Sequence, residues 1–172
     1  TGELYRRLAE AFMPGPLTAV LPKRDCIPLS VTGGLDSVGI RCPGSEAART
    51  LIRLAGVPVA APSANLSGRP STTSARHVAD DLDGRIDVII DGGDCEVGLE
   101  STVVKLDGET VTVLRPGAVT PEMLRTVCEN VKLDAGITEK LPEGTAPQAP
   151  GMKYRHYGTQ AARTLTGAPW SF

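Results

Sequence analysis

Hydrophobic and polar positions along the chain change period several times, and each change marks an element. Leu4, Leu8, Ala11 and Phe12 fall at i, i+4, i+7 and i+8, which predicts a helix over Gly2 to Met13. Short apolar runs at Leu17–Leu21 and Ser37–Arg41 read as strands joined by a Pro/Gly-containing connection. Ser45 is a helix cap, followed by apolar Ala47, Leu51, Ile52 and Leu54 in a helix to about Ala55. A buried strand is expected over Val57–Ala60, a helix capped by Thr73 or Ser74 running to Leu82, and a strongly apolar strand at Ile86–Ile90, where the core should be deepest. Ser101–Leu106 and Thr110–Leu114 flank Asp107-Gly108, the turn chemistry of a tight hairpin. Thr120, Pro121 and Glu122 open a helix to about Cys128. Asn130–Ala149, broken by Pro142, Gly144 and Pro147, reads as a linker, and no internal repeat is evident. Strands interleaved with helices require a sheet covered by helices.

Composition narrows the class. A chain of 172 residues can bury a core without metal or disulfide staples. With 18 Lys plus Arg against 20 Asp plus Glu it lacks a general nucleic-acid signature, so any polyanion site must be local. Cys26, Cys42, Cys95 and Cys128 are too far apart in sequence for a CxxC pair, which suits thiols in a reducing compartment. No apolar run reaches membrane-spanning length and no signal peptide opens the chain, so a cytoplasmic setting, away from membranes, is expected. The two histidines, His77 and His156, support no nucleophilic triad. No His/Cys/Asp/Glu cluster has ligand spacing, and Asp91, Asp94 and Glu96 suit a turn better than a metal.

The richest chemistry lies at Ala60–Thr73, AAPSANLSGRPSTT, where small and hydroxylated residues follow an expected strand end. Exposed amides and Ser hydroxyls at such a place suit an anion, although the same composition also makes a plain connecting loop. Other segments decide between the two. Pro14-Gly-Pro-Leu-Thr18, Val38-Gly-Ile-Arg41, Ser63-Ala-Asn65, Ile90-Asp-Gly-Gly93, Gly98-Leu-Glu-Ser-Thr-Val103, Leu114-Arg-Pro-Gly117 and Ala149-Pro-Gly-Met-Lys-Tyr-Arg-His-Tyr157 occur in order. Their order and spacing, from about Phe12 to Tyr157, resemble the threonylcarbamoyl-AMP synthase family, the YrdC-like domain of tRNA threonylcarbamoyladenosine biosynthesis.

The resemblance implies an α+β fold, a three-layer α/β/α arrangement around a twisted mixed sheet with an open concave nucleotide-binding face. It implies ATP-dependent synthesis of threonylcarbamoyladenylate from L-threonine, bicarbonate and ATP, with release of pyrophosphate. The product would pass to a tRNA-modifying transferase complex. By resemblance Ser37, Ser63, Ser71, Arg115 and Tyr157 would bind ATP, while Arg41, Ala61 and Ser101 would hold threonine. Asn65, Lys153 and His156 would support them, Asn65 serving either the ligand or its own turn. Mg²⁺ would arrive with ATP, and no catalytic acid or base is assigned. Glu100 is a tempting base, but a carboxylate beside a triphosphate needs a cation, so an ion pair is the expected alternative.

The expected organisation is a YrdC-like catalytic domain at 1–128, a linker or lid at 129–157 carrying the GMKYRHY motif, and a divergent tail at 158–172. The family's upstream segment, with a Thr and a Lys-x-Arg motif, and its second domain after Tyr157 are expected to lie outside the chain, a fragment truncated at both ends. Two other readings stay open: a carbamoyl-transfer domain of the hydrogenase-maturation type, and a non-catalytic RNA-binding module using the same concavity, with RNA bound weakly through its phosphates.

Overall fold

The computed structural model describes residues 2–138. The chain forms two compact units, one holding residues 2–60 and 99–138 and the other residues 61–98. The first begins with helix α1 (Glu3–Phe12), whose Leu4 and Leu8 are buried as their spacing requires. Strand β1 (Leu17–Pro22), a short helix α2 (Leu29–Thr32), strand β2 (Ser37–Ile40) and helix α3 (Glu46–Ala55) follow. After residue 98 come β3 (Thr102–Asp107), β4 (Thr110–Arg115), α5 (Pro121–Arg125), β5 (Asn130–Leu133) and α6 (Ala135–Thr138). The second unit contains α4 (Ala75–Leu82) and the loops around it.

The five strands form one open mixed sheet in the order β2-β1-β3-β4-β5. β1 runs antiparallel to β2 and parallel to β3, β3 antiparallel to β4, and β4 parallel to β5. Mixed pairing with helices alongside is the α+β class expected. The hairpin turns through Gly108 and Glu109, just after Asp107 pairs with Thr110, and Gly108 takes φ +56°, a region open to glycine at little cost. Alternation along the strands sends Leu17, Ala19, Val104, Val111 and Val113 to one face, against Leu4 and Leu8 of α1, Leu124 of α5, Val119 and Cys128. The opposite face carries a smaller buried cluster of Val20, Val103 and Leu114. Helix caps follow the sequence: Ser45 accepts from the Ala48 amide, Ser74 from His77 and Thr120 from Met123.

Several expectations are corrected or refined. Val57–Ala60 and Ile86–Ile90 are not strands, and their side chains are exposed, Val57 by 60% and Val88 by 72%. A strand is completed by a neighbour's ladder, and continuous apolar runs of this kind need cover on both faces. Neither segment is paired with a described residue, so the deepest core lies instead between α1, α5 and the β1-β3-β4 strands. Helix α3 forms with the bounds expected, yet none of its residues is fully buried. Asn130–Ala149 is not wholly a linker, because Asn130–Leu133 pairs in parallel with β4 and α6 follows, while residues 139–149 lie outside the described part. The four-residue strand is too short to declare a period in sequence; the exposed edge of β4 recruits it. α5 ends at Arg125, three residues before the bound expected. Finally, the connection between β1 and β2 contains α2, closed by Gly33 in the left-handed region at φ +64°.

Candidate functional site

The start of β3 and the end of β4 bring two of the expected site residues together. Ser101, 8% exposed, immediately precedes β3, and Arg115 is the last residue of β4, in register with Val103 two residues beyond Ser101. Arg115 Nε and Nη2 donate to the Ser101 carbonyl at 3.2 and 2.9 Å, and Nη2 also donates to Ser101 Oγ at 3.1 Å. Its Nη1 forms an ion pair with Glu100, whose side chain is 12% exposed against 20% for the arginine. The tempting base is thus a counter-ion. A fork of fixed donors, mostly shielded from water, thus sits at the end of two central strands, its permanent charge balanced by Glu100. Removal of Glu100 would leave that charge poorly compensated.

Two glycines permit this packing. A Cβ on Gly117 would lie 2.3 Å from the Glu100 carbonyl oxygen, 2.6 Å from the Thr102 amide nitrogen and 2.8 Å from the Ser101 carbonyl carbon. The Arg-Pro-Gly turn therefore does more than end β4; it lets the chain lie directly on the backbone that holds Ser101. Thr102 locks the same crossing, its hydroxyl donating to the Val119 carbonyl at 2.7 Å and accepting from the Val119 amide at 3.0 Å. On the neighbouring strand, Thr18 Oγ1 lies 3.0 Å from Ser101 Oγ. Gly39 of β2 faces the Thr18 methyl, which a Cβ there would approach to 3.2 Å.

Arg41 lies one residue beyond the end of β2, which stops at Ile40, so the regular alternation expected from Ser37 to Arg41 does not extend to the arginine. It is exposed, and its Nε donates to the Gly15 carbonyl at 3.0 Å, beside the Gly15 amide that donates to the Cys42 carbonyl at 2.8 Å. Ser37 opens β2 opposite Pro22 and is half-buried.

Ala61, Ser63, Asn65 and Ser71 belong to the second unit. Ala61 and Ser63 are exposed, and Ser71 is half-buried. Asn65 acts on its own loop: Nδ2 donates to the carbonyls of Leu66 at 2.9 Å and Arg69 at 3.0 Å, closing the turn that contains Gly68 at φ +84°. Asp81 of α4 braces the same loop, accepting from the Leu66 amide at 3.1 Å and pairing with Arg69. The Leu66 amide, and after it the Arg69 guanidinium, hold the Asp81 carboxyl below its ordinary range against the cost of desolvation. Thr72 ties the far side of the loop to the Ala64 carbonyl at 3.1 Å. Ser63 is thus offered by a loop whose backbone is held by Asn65, Asp81 and Thr72.

Lys153, His156 and Tyr157 lie outside the described residues. Sequence reasoning did not assign ligand roles to Thr18, Asp81, Thr102 or Gly117, although Thr18, Thr102 and Gly117 all stand within the motifs that carry the resemblance. Their functions are contacts across strands or between loop and helix, for which a linear motif carries no sign. Among the described residues no group of His, Cys, Asp or Glu could hold a metal ion, and no helix is long and apolar enough to cross a membrane.

Comparison with known proteins adds three findings. Residues 1–117 match the Sua5/YciO/YrdC family model, described as telomere recombination, and residues 119–170 match the threonylcarbamoyl-AMP synthase C-terminal domain. The threonylcarbamoyl-AMP synthase of Pyrococcus abyssi is 46% identical over 162 residues, covering 94% of this chain and 47% of its own. That of Bacillus subtilis is 46% identical over 169 residues, covering 97% of this chain and 48% of its own. The chain thus spans about half the length of the curated relatives it matches. The crystal structure of P. abyssi Sua5 complexed with L-threonine superposes with a TM-score of 0.84 at 48% identity, over 91% of this chain and 46% of that one. Escherichia coli YciO gives a TM-score of 0.60 at 26% identity, over 69% and 58%.

Proposed function

Because this chain belongs to the Sua5/YciO/YrdC family, we propose that it carries the catalytic half of a threonylcarbamoyl-AMP synthase. The substrates are L-threonine, bicarbonate and ATP. The threonine amine and bicarbonate condense to a carbamate with loss of water. A carbamate oxygen then attacks the α-phosphorus of ATP, and pyrophosphate leaves with the electron pair of the broken P–O bond. Carbamate and triphosphate are both anions, so the chemistry rests on orientation and on fixed positive charge more than on a titrating base.

The observation that carries the reading is the half-buried Arg115 fork over the buried Ser101 hydroxyl. A guanidinium in that setting suits an anionic ligand, and the adjoining hydroxyl suits the amino-acid end. Arg115 is assigned to ATP, with Ser37, Ser63, Ser71 and Tyr157. Arg41, Ala61 and Ser101 are assigned to threonine, with Lys153 and His156 in support. Asn65 supports the site through its turn, which agrees with its hydrogen bonds. Mg²⁺ is assigned to the ATP phosphates, keeping most of its waters and neutralising their charge; no protein cage is assigned to it. The product passes to a tRNA-modifying transferase, and the setting is the cytoplasm.

The test incubates the 172-residue chain with the three substrates and follows pyrophosphate release, with mass spectrometry of the adenylate formed. Thermal melts run beside it. L-threonine at a hundredfold its Kd should stabilise the chain by about 2.7 kcal/mol. Absence of any shift with threonine or ATP, together with RNA binding that weakens steeply with salt, would replace this reading by that of an RNA-binding module.

A further inference from the structure

The Ser101 hydroxyl meets two partners, one that can only donate and one that can donate or accept. Ser101 Oγ has one proton to give and two lone pairs to fill. Arg115 Nη2, at 3.1 Å, can only donate, so it occupies one lone pair. Thr18 Oγ1, at 3.0 Å, could donate or accept. If Ser101 donated to Thr18, Ser101 would meet an incoming anion with a lone pair. If Thr18 donates, both lone pairs of Ser101 are filled, and its own proton is what remains for a ligand.

We propose that Thr18 is a positioning residue: its hydroxyl donates to Ser101 Oγ, so that Ser101 presents a proton to the carboxylate or carbamate of the bound amino acid. The inference rests on the assignment of this site to threonine. Three features hold Thr18 in the required pose. It lies within β1, in parallel register with Val103, two residues beyond Ser101. As a β-branched residue its χ1 is stiff. Its methyl faces Gly39, where a Cβ would come to 3.2 Å, so the missing side chain leaves room for the rotamer observed. Among the described residues, Ser101 Oγ is the hydrogen-bond partner of the Thr18 side chain.

Calorimetric titration of L-threonine and, separately, ATP into the unsubstituted chain, Thr18→Val and Thr18→Ser tests this. Valine keeps the shape and removes the hydroxyl. Thr18→Val should weaken L-threonine about three- to tenfold, the loss of one neutral hydrogen bond, with ATP affinity held within about twofold. Thr18→Ser should recover threonine affinity to within about twofold of the unsubstituted chain. Unchanged threonine affinity in Thr18→Val, or equal loss of both ligands, overturns the proposal. A second measurement needs neither a variant nor a ligand: NMR of the unsubstituted chain should find a slowly exchanging Thr18 hydroxyl proton. A protected Ser101 hydroxyl proton directed at Thr18 would overturn the assignment of polarity. Failure of the unsubstituted chain to bind L-threonine would instead refute the synthase reading, leaving the hydroxyl polarity to be decided by that spectrum.

Discussion

Gly117→Ala is the most demanding test of how the site is built. The added methyl would arrive 2.3 Å from the Glu100 carbonyl oxygen, 2.6 Å from the Thr102 nitrogen and 2.8 Å from the Ser101 carbonyl carbon. An ordinary carbon–oxygen approach is about 3.3 Å, so roughly 1 Å of movement is needed. All three obstructing atoms are backbone, and Thr102 is pinned by its two hydrogen bonds to Val119. No flexible side chain can yield. The cost belongs at the upper end of overpacking, about 3 kcal/mol. For a chain of this size that corresponds to a fall in Tm of about 6 to 12 °C. Gly117 is outside the positive-φ glycines, so the penalty is steric and includes no left-handed backbone strain. Gly44→Ala provides the control, since its Cβ would meet nothing nearer than 4.0 Å. Differential scanning calorimetry of both variants, with L-threonine titrations alongside, reads the result. Threonine affinity should fall in Gly117→Ala because Ser101 and Arg115 move with the displaced backbone. A Tm within 2 °C of the unsubstituted chain (about 0.5 to 1 kcal/mol) would refute the argument that Gly117 permits this crossing.

Two further perturbations address the loop and the last cap. Asp81 is held below its ordinary pKa by the Leu66 amide and then by Arg69. A depressed carboxyl contributes its stabilisation in full above the ordinary carboxylate range and loses it as the pH falls through the lower, folded-state value. Exchange protection of the Leu66 amide, measured by NMR with correction for intrinsic rates, should therefore be flat near neutrality and decline only in acid, and Asp81→Asn should remove the dependence. A pH-independent amide in the unsubstituted chain would contradict the role of Asp81. Thr120→Ala removes the side chain that accepts from the Met123 amide at 3.3 Å and should cost about 1 kcal/mol in denaturant melts. An effect below about 0.3 kcal/mol would mean that burial of Leu124, fully enclosed in the core, holds α5 without its cap.

Local chemistry was legible where it acts on neighbours in sequence. Ser45, Ser74 and Thr120 announced helix starts, Asp107-Gly108 announced the hairpin, and Leu4 and Leu8 announced the buried face of α1, because each of these signals is satisfied within a few residues. The motif order was enough to point to the family. Asn65 was legible in chemistry but not in role, since an Asx side chain suits a turn and a ligand equally and only the positions of the Leu66 and Arg69 carbonyls choose between them.

What the sequence by itself determined was therefore the local grammar: caps, turns, periods, and the residues rich enough in donors to serve an anion. Tertiary structure decided the partners. The apolar runs at Val57–Ala60 and Ile86–Ile90 have strand composition, but composition cannot supply the neighbouring ladder, and they remain exposed. Asn130–Leu133 carries a weak pattern and is nevertheless a strand, because β4 offers it an edge. Glu100 became the counter-ion of Arg115, Thr18 the neighbour of Ser101, and Gly117 the space beneath both, although the two ends of the Thr18 contact are 83 residues apart in the chain. Hydrogen bonds, ion pairs and steric exclusion act over a few ångströms in space, so which residues they join is settled only when the strands have taken their order.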